Sequence, residues 1–261
     1  YYNLGNHDFN YGLDVLFNFM DSMTAHCLTC NVLYHGKPLG QSSILTKNGV
    51  RYGLIGVVTD YIPNWEKAEH IENMTFLDVV ETVQHEKDKR IDKVDKIIVI
   101  YHGGIEKDLL THEPTERYTK ENVGYQLATM DGVDVLFSGH QHRSINTQTS
   151  QALALQCSNN ATELMQVDVN PSDQSLTGEL VHLEGVIMDP AIIDVIQETE
   201  TQTQIWLDQP IGSLTEDLII HDQEDARIHK HKLVSFINHV QLEATGADLS
   251  ATSLFNNARG L

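Results

Sequence analysis

The chain has 261 residues, 41% of them hydrophobic, and sets 17 Lys and Arg against 37 Asp and Glu for a formal charge of −20. That length fits one large layered α/β domain with a small appendage, and the acidic balance excludes a surface that tracks nucleic acid backbones or anionic membrane. No apolar run reaches the ~18 residues of a membrane span, and no charged-then-apolar signal segment opens the chain, which starts on what reads as a strand end in mid-fold.

In chain order, short apolar runs alternate with amphipathic stretches, the pattern of stacked sheet and helix layers. Strands are predicted over 28–33, 52–58, 96–101, 133–138, 152–157, 163–169 and 176–184, and helices over 12–25, 77–92, 119–130 and 189–207. Residues 103–118 form a polar insertion after a strand, where a substrate-contacting loop is expected. The acidic stretch 208–226 reads as a linker and 227–245 as a new helix, giving a main domain over 1–207 and the beginning of a second over 227–261. Cys27, Cys30 and Cys157 make no even disulfide framework, and the CxxC spacing of the first two lacks a second ligand pair, so they read as small buried thiols. Free thiols lean toward a reducing compartment.

Residues 3–12 read Asn-Leu-Gly-Asn-His-Asp-Phe-Asn-Tyr-Gly, which places the amide of Asn6 and the imidazole of His7 in a turn between an apolar strand and a helix. His102 and His140 each follow an apolar strand at its carboxyl end, the edge where α/β sheets build sites. In Gly139-His140-Gln141-His142 the glycine is expected to let the backbone turn, while the alternate histidines leave on one side and reach adjacent metals. Phosphate ester hydrolysis near neutral pH needs an activated water, neutralised phosphoryl oxygens and a proton for the leaving group, and two metal ions plus one imidazole supply all three. The candidate metal ligands are therefore Asn6, His102, His140 and His142, with His7 as the imidazole beside them. Such a donor set suits zinc, manganese, iron or cobalt better than calcium. The remaining histidines of the 14, His70 and the His229-Lys230-His231 run among them, read as surface or core residues.

With these residues the chain resembles the calcineurin-like metallophosphoesterases, and more narrowly the group of 5′-nucleotidases and 2′,3′-cyclic-nucleotide 2′-phosphodiesterases. The resemblance runs from Gly5-Asn6-His7-Asp8-Phe9 through Tyr101-His102-Gly103-Gly104 to Gly139-His140-Gln141-His142. It implies a four-layer α/β/β/α sandwich lacking its first strands, two divalent metal ions, and a nucleotide as the small-molecule substrate. By the same resemblance Asn6, His102 and His140 bind one metal, His142 binds the other, and His7 lies over the transferred phosphoryl group, with a metal-bridging hydroxide attacking in line.

Asn10 stands where many 5′-nucleotidases carry an Asp that orients the catalytic imidazole; an amide orients without adding charge. Asn is common there in the cyclic-nucleotide branch, and further similarity to that branch lies in Tyr61-Ile62-Pro63-Asn64-Trp65, in 103–108, in 113–116 and in Glu121-Asn122-Val123-Gly124-Tyr125-Gln126. The expected activity is thus a 2′,3′-cyclic-nucleotide 2′-phosphodiesterase with 3′-nucleotidase activity, His7 and Asn10 being its catalytic pair. The alternatives are a 5′-nucleotidase or nucleotide-sugar hydrolase, and an inactive fragment that only binds metal or nucleotide.

The family's opening Asp-x-His and Gly-Asp segments do not precede Tyr1, and Asp60 and Asp134 read as turn or cap residues rather than replacements. Residues 236–241, 245–250 and Leu254-Phe255-Asn256-Asn257 resemble the opening of the family's carboxyl-terminal, nucleobase-stacking domain. The chain is accordingly expected to be a fragment cut at both ends. Family members are often exported to the periplasm or cell wall, against the lean of the free cysteines. Base preference is expected to depend on residues beyond Leu261, and oligomeric state leaves no trace in the sequence.

Overall fold

The computed structural model describes residues 1–170, 172–254 and 258–260. In chain order the main elements are α1 (Leu13–Ser22), β1 (Val32–Tyr34), β2 (Lys37–Pro38), β3 (Ser43–Lys47), β4 (Val50–Val58), β5 (Met74–Phe76), α2 (Val79–Asp88), β6 (Lys96–His102), α3 (Gly124–Ala128), β7 (Val135–Ser138), β8 (Ile145–Gln148), β9 (Leu153–Gln156), β10 (Glu163–Val169), β11 (Leu176–His182), α4 (Pro190–Leu207), α5 (Gln223–Ile228) and α6 (Lys232–Thr245). The chain divides into two compact units, Tyr1–Val186 and Ile187–Leu261.

The first unit is mixed α/β around a six-stranded sheet of order β3-β4-β6-β7-β9-β8. Strands β4, β6, β7 and β9 run parallel, and β3 and β8 close the edges antiparallel. Alternation along β6 shows how the sequence sorts its faces. Ile97, Val99 and Tyr101 are buried on one side, in a core with Val79 and Val83 of α2 and Leu127 and Ala128 of α3. Ile98, Ile100 and His102 point the other way, so the period of two that buries Tyr101 brings His102 out on the opposite face. On that face Val135, Leu153 and Leu155 pack with Met165, Val167, Leu176 and Leu180 of the β10–β11 hairpin. A third cluster joins Leu4, Phe9 and Leu16 to Val58 and Ile62, and fixes the amino-terminal turn against the end of β4.

The predicted strand over 28–33 contracts to Val32–Tyr34. Residues 28–31 run beside β4 through an isolated bridge, Thr29 to Gly56, because Thr29 and Asn31 turn buried polar side chains inward. Asn31 bonds both backbone groups of Val58, accepting from its N–H at 3.0 Å and donating to its carbonyl at 2.8 Å. The helix expected over 119–130 is only Gly124–Ala128, since the hydroxyls of Thr59 and Tyr101 hold the Glu121 carbonyl at 2.7 and 3.3 Å and keep 119–123 as a loop. Strands β3 and β8, absent from the sequence reading, are half-polar and exposed edge strands with no apolar run to mark them. Asp134 serves as a turn residue, accepting from the Ile97 N–H at 2.7 Å and pairing with Lys96 at 2.9 Å.

In the second unit α4 starts at an Asp189 cap. Leu218, Ile220, Ala226 and Leu233 form a small core with Ile237, Leu254 and Ala258. Helix α5 lies inside the stretch read as a linker, and α6 covers most of the helix read over 227–245. His229 pairs with Asp225 at 2.7 Å, and His231 caps α6 by accepting from the Leu233 N–H at 3.2 Å. Of the segment 254–257, residues Phe255, Asn256 and Asn257 lie outside the described residues. No helix among the described residues is long and apolar enough to cross a membrane.

Candidate active site

The site forms at the carboxyl edge of the parallel strands, where a 3-10 turn, Asn6–Phe9, meets the ends of β6 and β7. The turn is fixed by the Gly5 N–H donating to Asp8 Oδ2 at 2.7 Å and by the fully buried Phe9 behind it. Gly5 is required by close approach: a Cβ there would fall 2.9 Å from Cε1 of the His102 ring. The backbone thus lies flat against the imidazole, and Asn6 Oδ1 reaches His102 Nε2 at 2.9 Å.

His140 and His142 follow β7, and both adopt left-handed backbone conformations, φ +69° and +56°. The expectation that Gly139 makes the turn is corrected here: Gly139 has no positive φ, and the two histidines carry the unusual conformation themselves. Histidine visits this region more readily than most residues, at a cost of about 1–3 kcal/mol that surrounding bonds must offset. Gln141 between them is well held, accepting from the Ile105 N–H at 2.8 Å and donating to Glu116 at 2.9 Å.

The His102 and His140 rings lie 5.7 Å apart edge to face, and the Trp65 indole lies 5.4 Å from the His140 ring, tilted by 31°. Glu121 Oε1 sits 3.0 Å from His140 Nε2. A carboxylate only accepts, so Nε2 carries the proton of that contact. Burial, then the neighbouring His140, His7 and His142, lowers the His102 pKa to about 4, which keeps its ring neutral near pH 7. His7, His102, His140 and His142 line one cleft of about 540 Å³ with Asn3 and Asn159.

His7 is exposed, and its Nδ1 lies 2.6 Å from Asn10 Oδ1. Asn10 Nδ2 donates in turn to Glu66 Oε1, and the second oxygen of Glu66 meets His70 Nδ1 at 3.1 Å. The structure therefore brings every sequence-predicted site residue to one edge and adds Trp65, Glu66, His70 and Glu121. Of these, Trp65 and Glu121 lay inside stretches already notable for similarity, but nothing in their spacing identified them. Glu66 and His70 carry only an i,i+4 spacing, common on any surface.

Among the described residues, no three His, Cys, Asp or Glu side chains converge closely enough to hold a metal ion by themselves. The donors that do gather still suit a divalent ion: an amide oxygen, a buried neutral imidazole and a second imidazole. The 2.9 Å between Asn6 Oδ1 and His102 Nε2 matches the spacing of two ligand atoms at right angles, each about 2.1 Å from one ion, which would be about 3.0 Å.

The model of the calcineurin-like phosphoesterase family matches residues 1–144, and the chain belongs to that family. Calcineurin-like phosphoesterases use divalent metals. A 2′,3′-cyclic-nucleotide 2′-phosphodiesterase/3′-nucleotidase of Salmonella typhimurium is 32% identical over 153 residues, which is 54% of this chain and 23% of that protein. Among solved structures, a Staphylococcus aureus protein described as a 5′-nucleotidase superposes with a TM-score of 0.85 at 32% identity, covering 99% of this chain and 52% of that one. The calcineurin-like phosphoesterase YfkN of Bacillus subtilis superposes with a TM-score of 0.65 at 25% identity, covering 79% and 71%. The chain spans about a quarter of the Salmonella relative and about half of the Staphylococcus structure.

Proposed function

We propose that the protein hydrolyses phosphoesters of nucleotides, as a 2′,3′-cyclic-nucleotide 2′-phosphodiesterase that also removes the 3′-phosphate. The observation that carries this reading is the His7–Asn10 pair, 2.6 Å apart, standing over the edge where Asn6, His102 and His140 gather. Asn6, His102 and His140 would hold one divalent ion and His142 contribute to a second. When bound, these ions supply positive charge for the phosphoryl oxygens and acidify a water.

The chain's own groups do the rest. His7 is exposed and lines the cleft, and its Nε2, the ring nitrogen not engaged by Asn10, would stabilise phosphoryl charge or give a proton to the departing ribose oxygen. Asn10 holds that ring from the Nδ1 side without contributing a formal charge. Glu121 orients His140 as a second carboxylate–imidazole pair, the arrangement that fixes metal-ligating histidines. Trp65 packs its indole against the His140 ring.

The choice of the cyclic diester rests on Asn10 in place of an Asp and on the similarity to the Salmonella relative; the similarity to the Staphylococcus structure favours a 5′-nucleotidase as the second reading. Comparing turnover of a 2′,3′-cyclic nucleotide with that of a 5′-nucleotide, with His7→Asn as the control, tests the proposal.

A further inference from the structure

We infer that Glu66 is a positioning residue, a carboxylate one residue removed that sets the orientation and tautomer of His7 through the amide of Asn10. The inference rests on the reading of His7 as the group over the phosphoryl, and the geometry itself is independent of it.

What each group can donate fixes the chain of bonds. Glu66 is held in place by the loop after β4: its N–H donates to the Ile62 carbonyl at 3.0 Å, and its side chain is only 9% exposed. As a carboxylate it offers two acceptors and no donor, so the Asn10 group facing it is the NH2. The amide oxygen of Asn10 is then forced to face His7, and the 2.6 Å contact requires His7 Nδ1 to carry a proton. Nε2, the ring nitrogen that Asn10 does not engage, is therefore the one left to exchange a proton with substrate. His70 Nδ1, 3.1 Å from the other Glu66 oxygen, completes the chain and keeps the carboxylate from rotating. Without Glu66 the Asn10 amide has no reason to prefer one face, and a flipped amide would present NH2 to His7 and select the opposite tautomer.

The arrangement explains how an amide serves where an Asp would otherwise orient the ring. An Asp at position 10 needs no partner to decide which atom faces His7, since both its oxygens accept. An Asn does need one, and Glu66 is the only group bonded to its Nδ2 among the described residues. The same loop that delivers Glu66 also delivers Trp65 to His140, so a single segment braces both histidines.

The test is a set of variants read by 15N NMR of the imidazole rings and by steady-state kinetics, with the His7 signal assigned by its absence in His7→Asn. Wild type should show His7 protonated at Nδ1. Glu66→Ala should give a mixed or Nε2-protonated His7 and lower kcat about 10- to 100-fold, the effect of a misplaced group, while KM stays near wild type. Glu66→Gln, which can still accept from Asn10, should keep the wild-type tautomer. Asn10→Asp combined with Glu66→Ala should restore the Nδ1-protonated signal and most of kcat. An unchanged His7 signal in Glu66→Ala, or no recovery in the double variant, would overturn the inference. The NMR readout decides the relay even if the protein turns over no nucleotide, so failure of the relay and failure of the proposed function are told apart.

Discussion

Asn6 Oδ1 stands 2.9 Å from His102 Nε2, although 96 residues separate them in the chain. The contact joins the amino-terminal turn to the end of β6 and so holds His7, the next residue, at the sheet edge. If these two atoms are ligands of one ion, Asn6→Ala and His102→Ala should each weaken metal binding by at least the 10- to 100-fold typical of removing a ligand's supporting group. Elemental analysis after dialysis checks this, and full metal content in both variants would remove them from the ligand set.

Gly104 should not tolerate a side chain. A Cβ there would come 2.2 Å from Gln141 and 2.6 Å from Asn122, and both are tied down, Asn122 Oδ1 accepting from the Gly104 N–H itself at 2.7 Å. Gly104→Ala is expected to cost about 1–3 kcal/mol by overpacking, and to displace the 140–142 turn that Gln141 anchors. Urea titration gives the first effect and metal affinity the second; wild-type values for both would show that the network gives way freely.

Legibility in the sequence followed the period of the strand. His102 could be placed because Ile97 to Tyr101 announce a strand by their apolar run, and a residue at its carboxyl end belongs to the site edge whatever the rest of the fold does. Glu66 and Glu121 could not, because each reaches its histidine from a loop whose path depends on long-range bonds, such as those of Thr59 and Tyr101 to the Glu121 carbonyl. The left-handed backbone of His140 and His142 was hidden for a related reason: Gly139 beside them was the obvious turn-former, yet the strain falls on the functional residues. Residues 28–31 misled in the opposite sense, since Leu28 and Thr29 fit a strand by propensity, yet Thr29 and Asn31 spend their side chains on bonds to neighbouring segments.

Cys30 gives a prediction in alkaline solution. Its thiol is buried and lies 3.0 Å from the Gly56 carbonyl, to which it donates, and burial, reinforced by the Glu86 carboxylate, pushes its pKa from 9.0 up to about 12. The folded state keeps a proton that the unfolded chain releases, so this contribution is complete below about pH 9 and is lost as the pH rises toward 12. In that window stability should fall by about 1.4 kcal/mol per pH unit on account of this thiol. Cys30→Ser keeps a donor without the titration; urea midpoints measured across the window should decline less steeply for the variant than for wild type. Parallel declines would assign the alkaline loss to other groups.

The central claim is that His7 and Asn10 act on a cyclic nucleotide at the edge built by Asn6, His102 and His140. It is tested most directly by hydrolysis of 2′,3′-cyclic AMP set against 5′-AMP, in the presence of manganese, by the natural protein and its His7→Asn variant. The account predicts clear preference for the cyclic diester, and a fall of about 10²- to 10⁴-fold in kcat for His7→Asn with metal content unchanged. Preference for the 5′-monoester, or undiminished turnover by the variant, would contradict it.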